Sequence, residues 1–243
     1  MMTPCIKHFN SLKSTNSYAF ENFENLNMGD IILADVQTNG RGRFDRVWNS
    51  ASSDNIYMSF VIKPDNYQNY PFVNLTQYLS VIVNKIFNEK YNISSDIKWP
   101  NDILYKGKKL VGILSEAKVY NNQIVGIILG IGINVNSDKD YFTGLPNAIS
   151  LKMILDKKID KNELVKYVVD EFFANLDDFA EKGFISILDE YKLMCKFSDK
   201  SVKIGGSFMD GEYKFAGIND DGTFAVIDKN GNKINVVSGD ILC

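Results

Sequence analysis

Three arginines lie within six residues of one another in a glycine-containing stretch, QTNGRGRFDRVWNS, at positions 37–50. They are Arg41, Arg43 and Arg46, with a glycine on each side of the first. Arginine presents a permanently charged planar fork that suits phosphate or carboxylate, and glycine lets the backbone approach a ligand closely. The stretch therefore predicts a loop that wraps an anion, and an ordinary solvated basic turn is the alternative interpretation.

Other side chains that often do chemistry are scarce in this sequence. His8 is the only histidine, which excludes a histidine-based catalytic triad and a multi-histidine metal site. The three cysteines, Cys5, Cys195 and Cys243, are far apart and form no CxxC pair, so neither a zinc site nor a disulfide framework is expected. Catalysis would have to rest on arginine, lysine, aspartate and backbone amides, with a bound ion where one is needed.

The overall composition is that of an ordinary globular protein of one or two domains, with 243 residues, 45% hydrophobic and 23% charged. A formal net charge of −3 and a pI near 5.3 give no electrostatic footprint for nucleic acid. No apolar run approaches the roughly 20 residues that span a bilayer, and the N-terminal segment is too polar for a signal peptide. We therefore expect a cytoplasmic protein that binds neither membrane nor nucleic acid.

The elements that must position the arginine stretch follow from hydrophobic periodicity. Residues 31–36 read as a strand that enters the loop, and the alternation over residues 56–62 predicts a half-buried strand after it. Leu75, Leu79, Ile82 and Ile86 form a helical stripe. Further strands are predicted at 97–99, 103–105, 110–117 and 123–135.

The second half of the chain is predicted to be helical and then β-rich. A helix should begin near Asp160, which forms a capping pattern with Glu163, and a further helix is expected around residues 184–191. After residue 197 short β-like runs are separated by NDDG and DKNG, which are hairpin signals. The boundary is therefore placed at 197, giving a first domain of 1–197 and a small β domain of 198–243.

Three more stretches carry a resemblance to a known family. STN stands at 14–16, KWPNDILYKGKKLVGILSE at 98–116 and GIGINVN at 130–136. With GRGR and the tryptophan that follows it, these motifs occur in the order typical of biotin–protein ligases, which the chain resembles strongly from residue 11 to 136. The resemblance implies an α+β fold, with a mixed or antiparallel sheet flanked by helices as in class II synthetases, and a small C-terminal SH3-like β-barrel.

The resemblance also implies an activity. Such a ligase uses ATP and Mg²⁺ to convert biotin into biotinyl-5′-AMP, and then transfers biotin to a lysine of the biotin carboxyl carrier domain of acetyl-CoA carboxylase. Neither step needs a covalent enzyme intermediate, so catalysis is expected to come from positioning and charge neutralisation. A homodimer formed through an edge strand of the central sheet is a further expectation from the family.

The family's functional residues map onto this chain motif by motif. Catalytic roles are implied for Lys109, Arg43 and Arg46, and Asp102 is implied as the Mg²⁺ ligand. Biotin binding is implied for Ser14, Thr15, Asn16, Gln37, Gly40, Arg41, Gly42, Arg43, Lys109 and Gly112. Nucleotide binding is implied for Arg43, Arg46, Trp48, Asn101 and Asn134.

Several of these residues have simpler interpretations. Ser14 and Thr15 are also helix-cap candidates, the Pro-Asn-Asp at 100–102 is also a turn, and Asn134 could mark a tight strand end. The two tryptophans, Trp48 and Trp99, are predicted to pack, with Trp48 also covering the nucleotide.

Two other functions remain as alternatives. A lipoate–protein ligase has similar acyl-adenylate chemistry, although GRGR and KWPND are motifs of the biotin branch. Some biotin ligases are biotin-responsive transcriptional regulators with an N-terminal helix-turn-helix domain. Only 13 residues precede Ser14, so we expect no such domain and no sequence-specific DNA binding.

Overall fold

Two β-sheets organise the protein in a computed structural model, which describes residues 4–65, 70–195, 197, 201–205 and 211–242. The larger sheet has seven strands in the order β1-β2-β3-β7-β6-β5-β4. β1 and β2 are parallel, and every other neighbouring pair is antiparallel. Its strands are β1 (Cys5–Leu12), β2 (Asp30–Gln37), β3 (Ile56–Ile62), β4 (Asp96–Lys98), β5 (Asp102–Tyr105), β6 (Lys108–Tyr120) and β7 (Gln123–Ile133).

Helices cover both faces of this sheet. On one face, Ala19 of the first helix packs near Ile32, Val61 and Ile128. The longer helices share a core with the alternate residues of the same strands, such as Phe60. The helices are α1 (Thr15–Glu21), α2 (Leu75–Tyr91), α3 (Leu151–Leu155), α4 (Lys161–Ala174), α5 (Leu176–Lys182) and α6 (Leu188–Met194).

The covering of both faces corrects one prediction. All seven residues of β3 are buried, so the half-buried strand expected there is wrong. β3 lies in the interior of the sheet between β2 and β7, and α1 shields the face that the alternation assigned to solvent.

The predicted capping of α4 is confirmed. The Asp160 carboxylate accepts hydrogen bonds from the backbone N–H groups of Asn162 and Glu163 at 2.9 and 3.3 Å. These N–H groups have no partner within the helix, so the cap stabilises its start.

The C-terminal residues form a second, antiparallel sheet with the order β11-β10-β9-β8-β12. Gly222 and Gly231, with φ of +81° and +85°, occupy the predicted NDDG and DKNG turns. The predicted fold class, a mixed sheet flanked by helices with a small C-terminal β module, is confirmed. The strands are β8 (Ser201–Gly205), β9 (Gly211–Ile218), β10 (Phe224–Ile227), β11 (Lys233–Val236) and β12 (Asp240–Leu242).

The two sheets share one hydrophobic core. Trp99 packs against Phe224 with ring centroids 5.3 Å apart, as expected of a packing residue. The Gly222 carbonyl accepts hydrogen bonds from Trp99 Nε1 at 3.1 Å and from Gln77 Nε2 at 2.8 Å. The domain boundary at residue 197 stays a prediction. Residues on both sides of this position belong to the same hydrophobic core.

The histidine and the cysteines do not form a common site among the described residues. His8 lies on the exposed strand β1 and its Nε2 is 2.9 Å from Asp35. Cys5 is exposed and Cys195 is buried, and burial raises the pKa of the Cys195 thiol to about 12. Cys243 lies outside the described residues. No helix among the described residues is long and apolar enough to cross a membrane.

Candidate functional site

A cavity of about 380 Å³ opens between the arginine loop (residues 40–48), the start of α1, strands β5 to β7 and the segment 141–148. Its volume lies within the range of small-molecule sites, which is about 300 to 1,000 Å³. Motifs that are far apart in the sequence meet here. The predicted site residues that line the cavity are Ser14, Thr15, Asn16, Gln37, Arg41, Gly42, Arg43, Arg46, Trp48, Asn101, Asp102, Lys109, Gly112 and Asn134.

Gly40 is the one predicted site residue that does not line the cavity. A Cβ at this position would lie 2.3 Å from Ser50 Oγ and 2.4 Å from the Trp48 carbonyl. Its backbone carbonyl also accepts a hydrogen bond from the Trp48 N–H at 3.0 Å. Gly40 therefore closes the base of the loop, where no side chain fits.

The floor of the cavity is glycine backbone on which the side chains of Trp48 and Asn16 lie. Gly112 of β6 and Gly132 of β7 are direct cross-strand partners, and Gly130 lies two residues before Gly132. The Trp48 ring covers the pair, because added Cβ atoms would lie 2.7 Å and 2.4 Å from it. A Cβ on Gly130 would lie 2.0 Å from Asn16 Oδ1. The glycines thus let an aromatic ring and an amide lie directly on the sheet.

One end of the cavity is polar, buried and already hydrogen-bonded. Gln37 Oε1 accepts from the Thr15 N–H at 2.8 Å, and Gln37 Nε2 donates to Ser50 Oγ at 2.9 Å. Asn16 Nδ2 donates to Glu116 Oε2 at 2.8 Å. Ser14 does cap α1, since its Oγ lies 3.4 Å from the Ser17 N–H, and it also faces the cavity. Ser14 is therefore a helix cap as predicted, and the biotin-binding role of the Ser-Thr-Asn motif stays a prediction.

The other end is charged. Arg41 pairs with Glu116, and Arg46 pairs with Asp240 of β12. Arg43 Nη1 donates to Asn101 Oδ1 and to Asp240 Oδ1, both at 3.2 Å. Burial lowers the pKa of Arg43, and the nearby carboxylates Asp240 and Asp102 act in the opposite direction. Each of the three guanidinium groups therefore has a carboxylate partner from another part of the chain.

The loop backbone is closed on itself. The Gly42 N–H donates to the Arg46 carbonyl at 2.7 Å, and Arg41 pairs with Val47 in an antiparallel bridge. Phe44 and Asp45, at the tip, have φ of +53° and +56°, which is the left-handed region. The arginine side chains therefore project from a tight, hairpin-like turn.

Lys109 lies between the two ends. Its Nζ is 2.8 Å from Asp102 Oδ1 and 5.2 Å from the centroid of the Trp48 ring. Its carbonyl accepts hydrogen bonds from Asn134 Nδ2 at 3.3 Å and from the Ile149 N–H at 3.0 Å. The backbone of Lys109 is thus fixed while its ammonium group faces the cavity.

The Pro-Asn-Asp segment is both a turn and part of the site. It joins β4 to β5, and Asn101 is held by β6 through hydrogen bonds with the Ile113 backbone, both at 2.9 Å. Asp102 provides one carboxylate on the cavity wall. That fits Mg²⁺, which is usually bound by one or two carboxylates together with ligand phosphates. In the described part of the chain no group of three or more His, Cys, Asp or Glu residues could hold a metal unaided.

Two parts of the site lie outside all of the motifs identified in the sequence. Asp240 belongs to a short strand near the C-terminus, and residues 141–148 form one wall. That wall is tied to the residue that follows the arginine loop, since the Tyr141 hydroxyl donates to the Asn49 carbonyl at 2.9 Å. The glycine and proline in TGLPN at 143–147 indicate a turn, but nothing local places it beside the cavity.

Comparison with known proteins agrees with the motifs. The model of the biotin/lipoate A/B protein ligase family matches residues 8–134, more than half of the chain. The chain belongs to this family. All of the predicted site residues lie inside the matched region. Asp240, in contrast, lies outside it.

Individual members of the biotin/lipoate ligase family align over most of the chain. It is 35% identical over 219 residues to the bifunctional ligase/repressor BirA of Bacillus subtilis, covering 88% of this chain and 66% of that protein. A biotin protein ligase of Aquifex aeolicus, solved in complex with biotin and ATP, superposes with a TM-score of 0.82 at 27% identity, covering 98% of this chain and 97% of that one. The chain therefore spans just under two thirds of the curated relative.

Proposed function

We propose that this chain is a biotin–protein ligase. It activates biotin with ATP to biotinyl-5′-AMP and transfers biotin to a lysine of a biotin carboxyl carrier domain, such as that of acetyl-CoA carboxylase. The observation that carries the proposal is the two-ended cavity, which joins a preformed polar end to a cluster of cations. Family membership and the Aquifex neighbour with biotin and ATP support it.

The polar end suits the ureido ring of biotin. A buried polar group without a partner costs about 1–3 kcal/mol, so a pocket for this ring must supply donors and acceptors. Ser14, Thr15 and Gln37 supply hydroxyl and amide groups in a buried setting. The dithiolane ring of lipoate has no N–H or O–H donor to use them. Biotin is therefore the better match, and the lipoate ligase alternative has less support.

The charged end suits adenylate formation. The biotin carboxylate attacks the α-phosphate of ATP, and pyrophosphate leaves. We expect Lys109 to neutralise charge on the carboxylate and the α-phosphate, and Arg43 and Arg46 to bind the phosphates. Mg²⁺ held by Asp102 would neutralise further phosphate charge. In the second step the acceptor lysine attacks the acyl carbon of the mixed anhydride, and AMP leaves.

The direct test is a labelling reaction. The purified protein is incubated with ATP, Mg²⁺, radiolabelled biotin and a biotin carboxyl carrier domain, and label is followed onto the carrier. We expect label on the carrier that depends on ATP and on the carrier's acceptor lysine. A carrier with that lysine changed to alanine is the control. Transfer of lipoate to a lipoyl carrier domain, without transfer of biotin to the biotin carboxyl carrier domain, would contradict the proposal.

The setting of the activity is also proposed. We expect a cytoplasmic enzyme that does not bind operator-like DNA, even with biotinyl-5′-AMP bound, because its pI is near 5.3. A salt-sensitive, sequence-selective shift of duplex DNA at nanomolar protein would overturn that expectation.

If the protein dimerises, we expect an edge strand of the seven-stranded sheet to form the contact. Sedimentation with and without biotinyl-5′-AMP tests whether the protein dimerises.

A further inference from the structure

Ser59 is a polar residue in the middle of the interior strand β3. It is fully buried, and the other six residues of the strand are apolar or aromatic. Its hydroxyl lies 2.6 Å from Asn16 Oδ1 and 2.7 Å from Thr15 Oγ1. Ser59 does not line the cavity itself, but both of its partners do.

The direction of the Ser59 hydrogen bond follows from Asn16. The Asn16 amide nitrogen donates to Glu116 Oε2 at 2.8 Å and lies 3.3 Å from the Leu114 carbonyl, so the oxygen Oδ1 is the atom that faces Ser59. An amide oxygen can only accept. The single hydroxyl proton of Ser59 is therefore donated to Asn16, and Ser59 Oγ keeps its lone pairs for Thr15.

The Thr15 hydroxyl is oriented in turn. It has two acceptors on the protein side, Ser59 Oγ at 2.7 Å and Gln37 Oε1 at 3.2 Å. Gln37 Oε1 already accepts from the Thr15 N–H at 2.8 Å, so the shorter contact with Ser59 is the better partner. Once the proton points into the protein, only lone pairs of the Thr15 oxygen face the cavity.

We propose that Ser59 is a positioning residue for substrate specificity: it fixes the Thr15 hydroxyl as a hydrogen-bond acceptor toward the cavity. This selects ligands that present an N–H donor at this end. The inference rests on the proposed function, in which the ureido ring of biotin supplies that N–H. A ligand with an oxygen acceptor in the same place would meet lone pairs and be rejected.

Three ligands test the direction of the hydrogen bond. The probes are biotin and each of its two cyclic carbamate analogues, in which a ureido N–H is replaced by a ring oxygen of similar size. For the wild-type protein we expect biotin to bind about tenfold more tightly than the analogue altered at the Thr15 contact, equivalent to about 1.4 kcal/mol. In Ser59→Ala the Thr15 hydroxyl can turn and donate to the ring oxygen, so this preference should fall at least about threefold.

The matched control is Ser80→Ala. Ser80 is also fully buried and its hydroxyl donates to the Gln77 carbonyl at 2.7 Å, but it lies on α2 and does not line the cavity. The substitution Ser80→Ala removes a buried hydroxyl of the same kind and should leave the preference for biotin over the analogue unchanged. ATP affinity should be unchanged in both variants.

The outcomes separate the proposal from its alternatives. An unchanged preference in Ser59→Ala, or equal weakening of biotin and the analogue, would mean that Ser59 is only structural and would overturn the proposal. Ser59→Cys, of similar volume with a weaker donor, carries the same test if the alanine variant does not fold. If the folded wild-type protein binds no biotin, the proposed function fails instead.

Discussion

The two ends of the cavity differ in how complete they are before a ligand binds. At the polar end Thr15, Asn16 and Gln37 are buried and hydrogen-bonded to groups of the protein scaffold. At the charged end the arginines and Lys109 are paired with the protein's own carboxylates, and their side chains are 19% to 63% exposed. A neutral ligand group can thus add to the first end, whereas an anion must compete at the second.

The difference has an energetic origin. Hydrogen bonds among buried neutral groups are expensive to break, since each unpaired group costs about 1–3 kcal/mol. Ion pairs near a protein surface contribute about 0–1 kcal/mol and can be exchanged for a better partner. The polar end is therefore suited to recognition, and the charged end to a reaction in which the distribution of charge changes. Changes at the two ends should affect different steps.

The largest effect is expected from Lys109→Ala. Removing the ammonium group should slow adenylate formation about 100-fold, or about 2.7 kcal/mol of transition-state stabilisation, with the fold intact. Single-turnover formation of biotinyl-5′-AMP is the measurement. The exposed neighbour Lys108 provides the control variant Lys108→Ala, which should react at the wild-type rate. Near-normal adenylation by Lys109→Ala would remove Lys109 from the chemistry.

Arg43→Gly should act on the intermediate rather than on biotin. Arg43 joins the loop to Asn101 and Asp240, and a fork that binds the phosphate would hold the loop over the adenylate. We expect pre-formed biotinyl-5′-AMP to dissociate at least about tenfold faster, with biotin affinity nearly unchanged. Released adenylate should then label lysines of bystander proteins. A wild-type off-rate without bystander labelling would show that Arg43 does not retain the intermediate.

Thr15→Val tests the polar end in isolation. Valine keeps the shape of threonine and removes the hydroxyl, which leaves Ser59 Oγ without its second partner. Biotin affinity should fall about tenfold, and the affinity for ATP should not change. Isothermal titration with each ligand separately makes the comparison. A parallel loss of ATP affinity would mean that the two ends are not independent.

The smallest effect is expected at Asp240. Its carboxylate occupies Arg43 and Arg46, so Asp240→Asn should free them for a polyphosphate. We expect pyrophosphate and ATP to bind about threefold more tightly at low salt, with a smaller gain at high salt because of screening. Glu212→Gln, which breaks the exposed pair with Lys203 in the same small sheet, is the control. Weaker nucleotide binding in Asp240→Asn would mean that Asp240 positions the arginines instead of competing for them.

Most of the fold could be predicted from local patterns. Strand alternation, helical stripes and hairpin turns are local signals, and they located β2 to β7, α2, α4 and the C-terminal β runs. β1 was missed because it is an exposed edge strand with no apolar alternation. The burial of β3 was underestimated because its cover, α1, comes from a segment about 40 residues earlier.

Site residues that belong to sequence motifs could be predicted. Residues that reach the site only through contacts between distant parts of the chain could not. Asp240 is 197 positions from its partner Arg43, and no local pattern links them. Ser59 is a single polar residue in an apolar run, and its meaning depends on α1 lying against β3. Gly130 and Gly132 were within a quoted motif, and their role depends on what lies above the sheet.

The glycine floor sets a one-sided limit on how this pocket can be redesigned. Gly112, Gly130 and Gly132 have no side chain left to trim, so any replacement there makes the pocket shallower, and none can make it deeper. A protein engineer who wants a bulkier ligand would have to take the extra volume from side chains that lie on the glycines, such as Trp48, or from the wall at 141–148. Variants of this protein selected to bind larger ligands should therefore retain all three glycines and accumulate changes in the side chains that surround them.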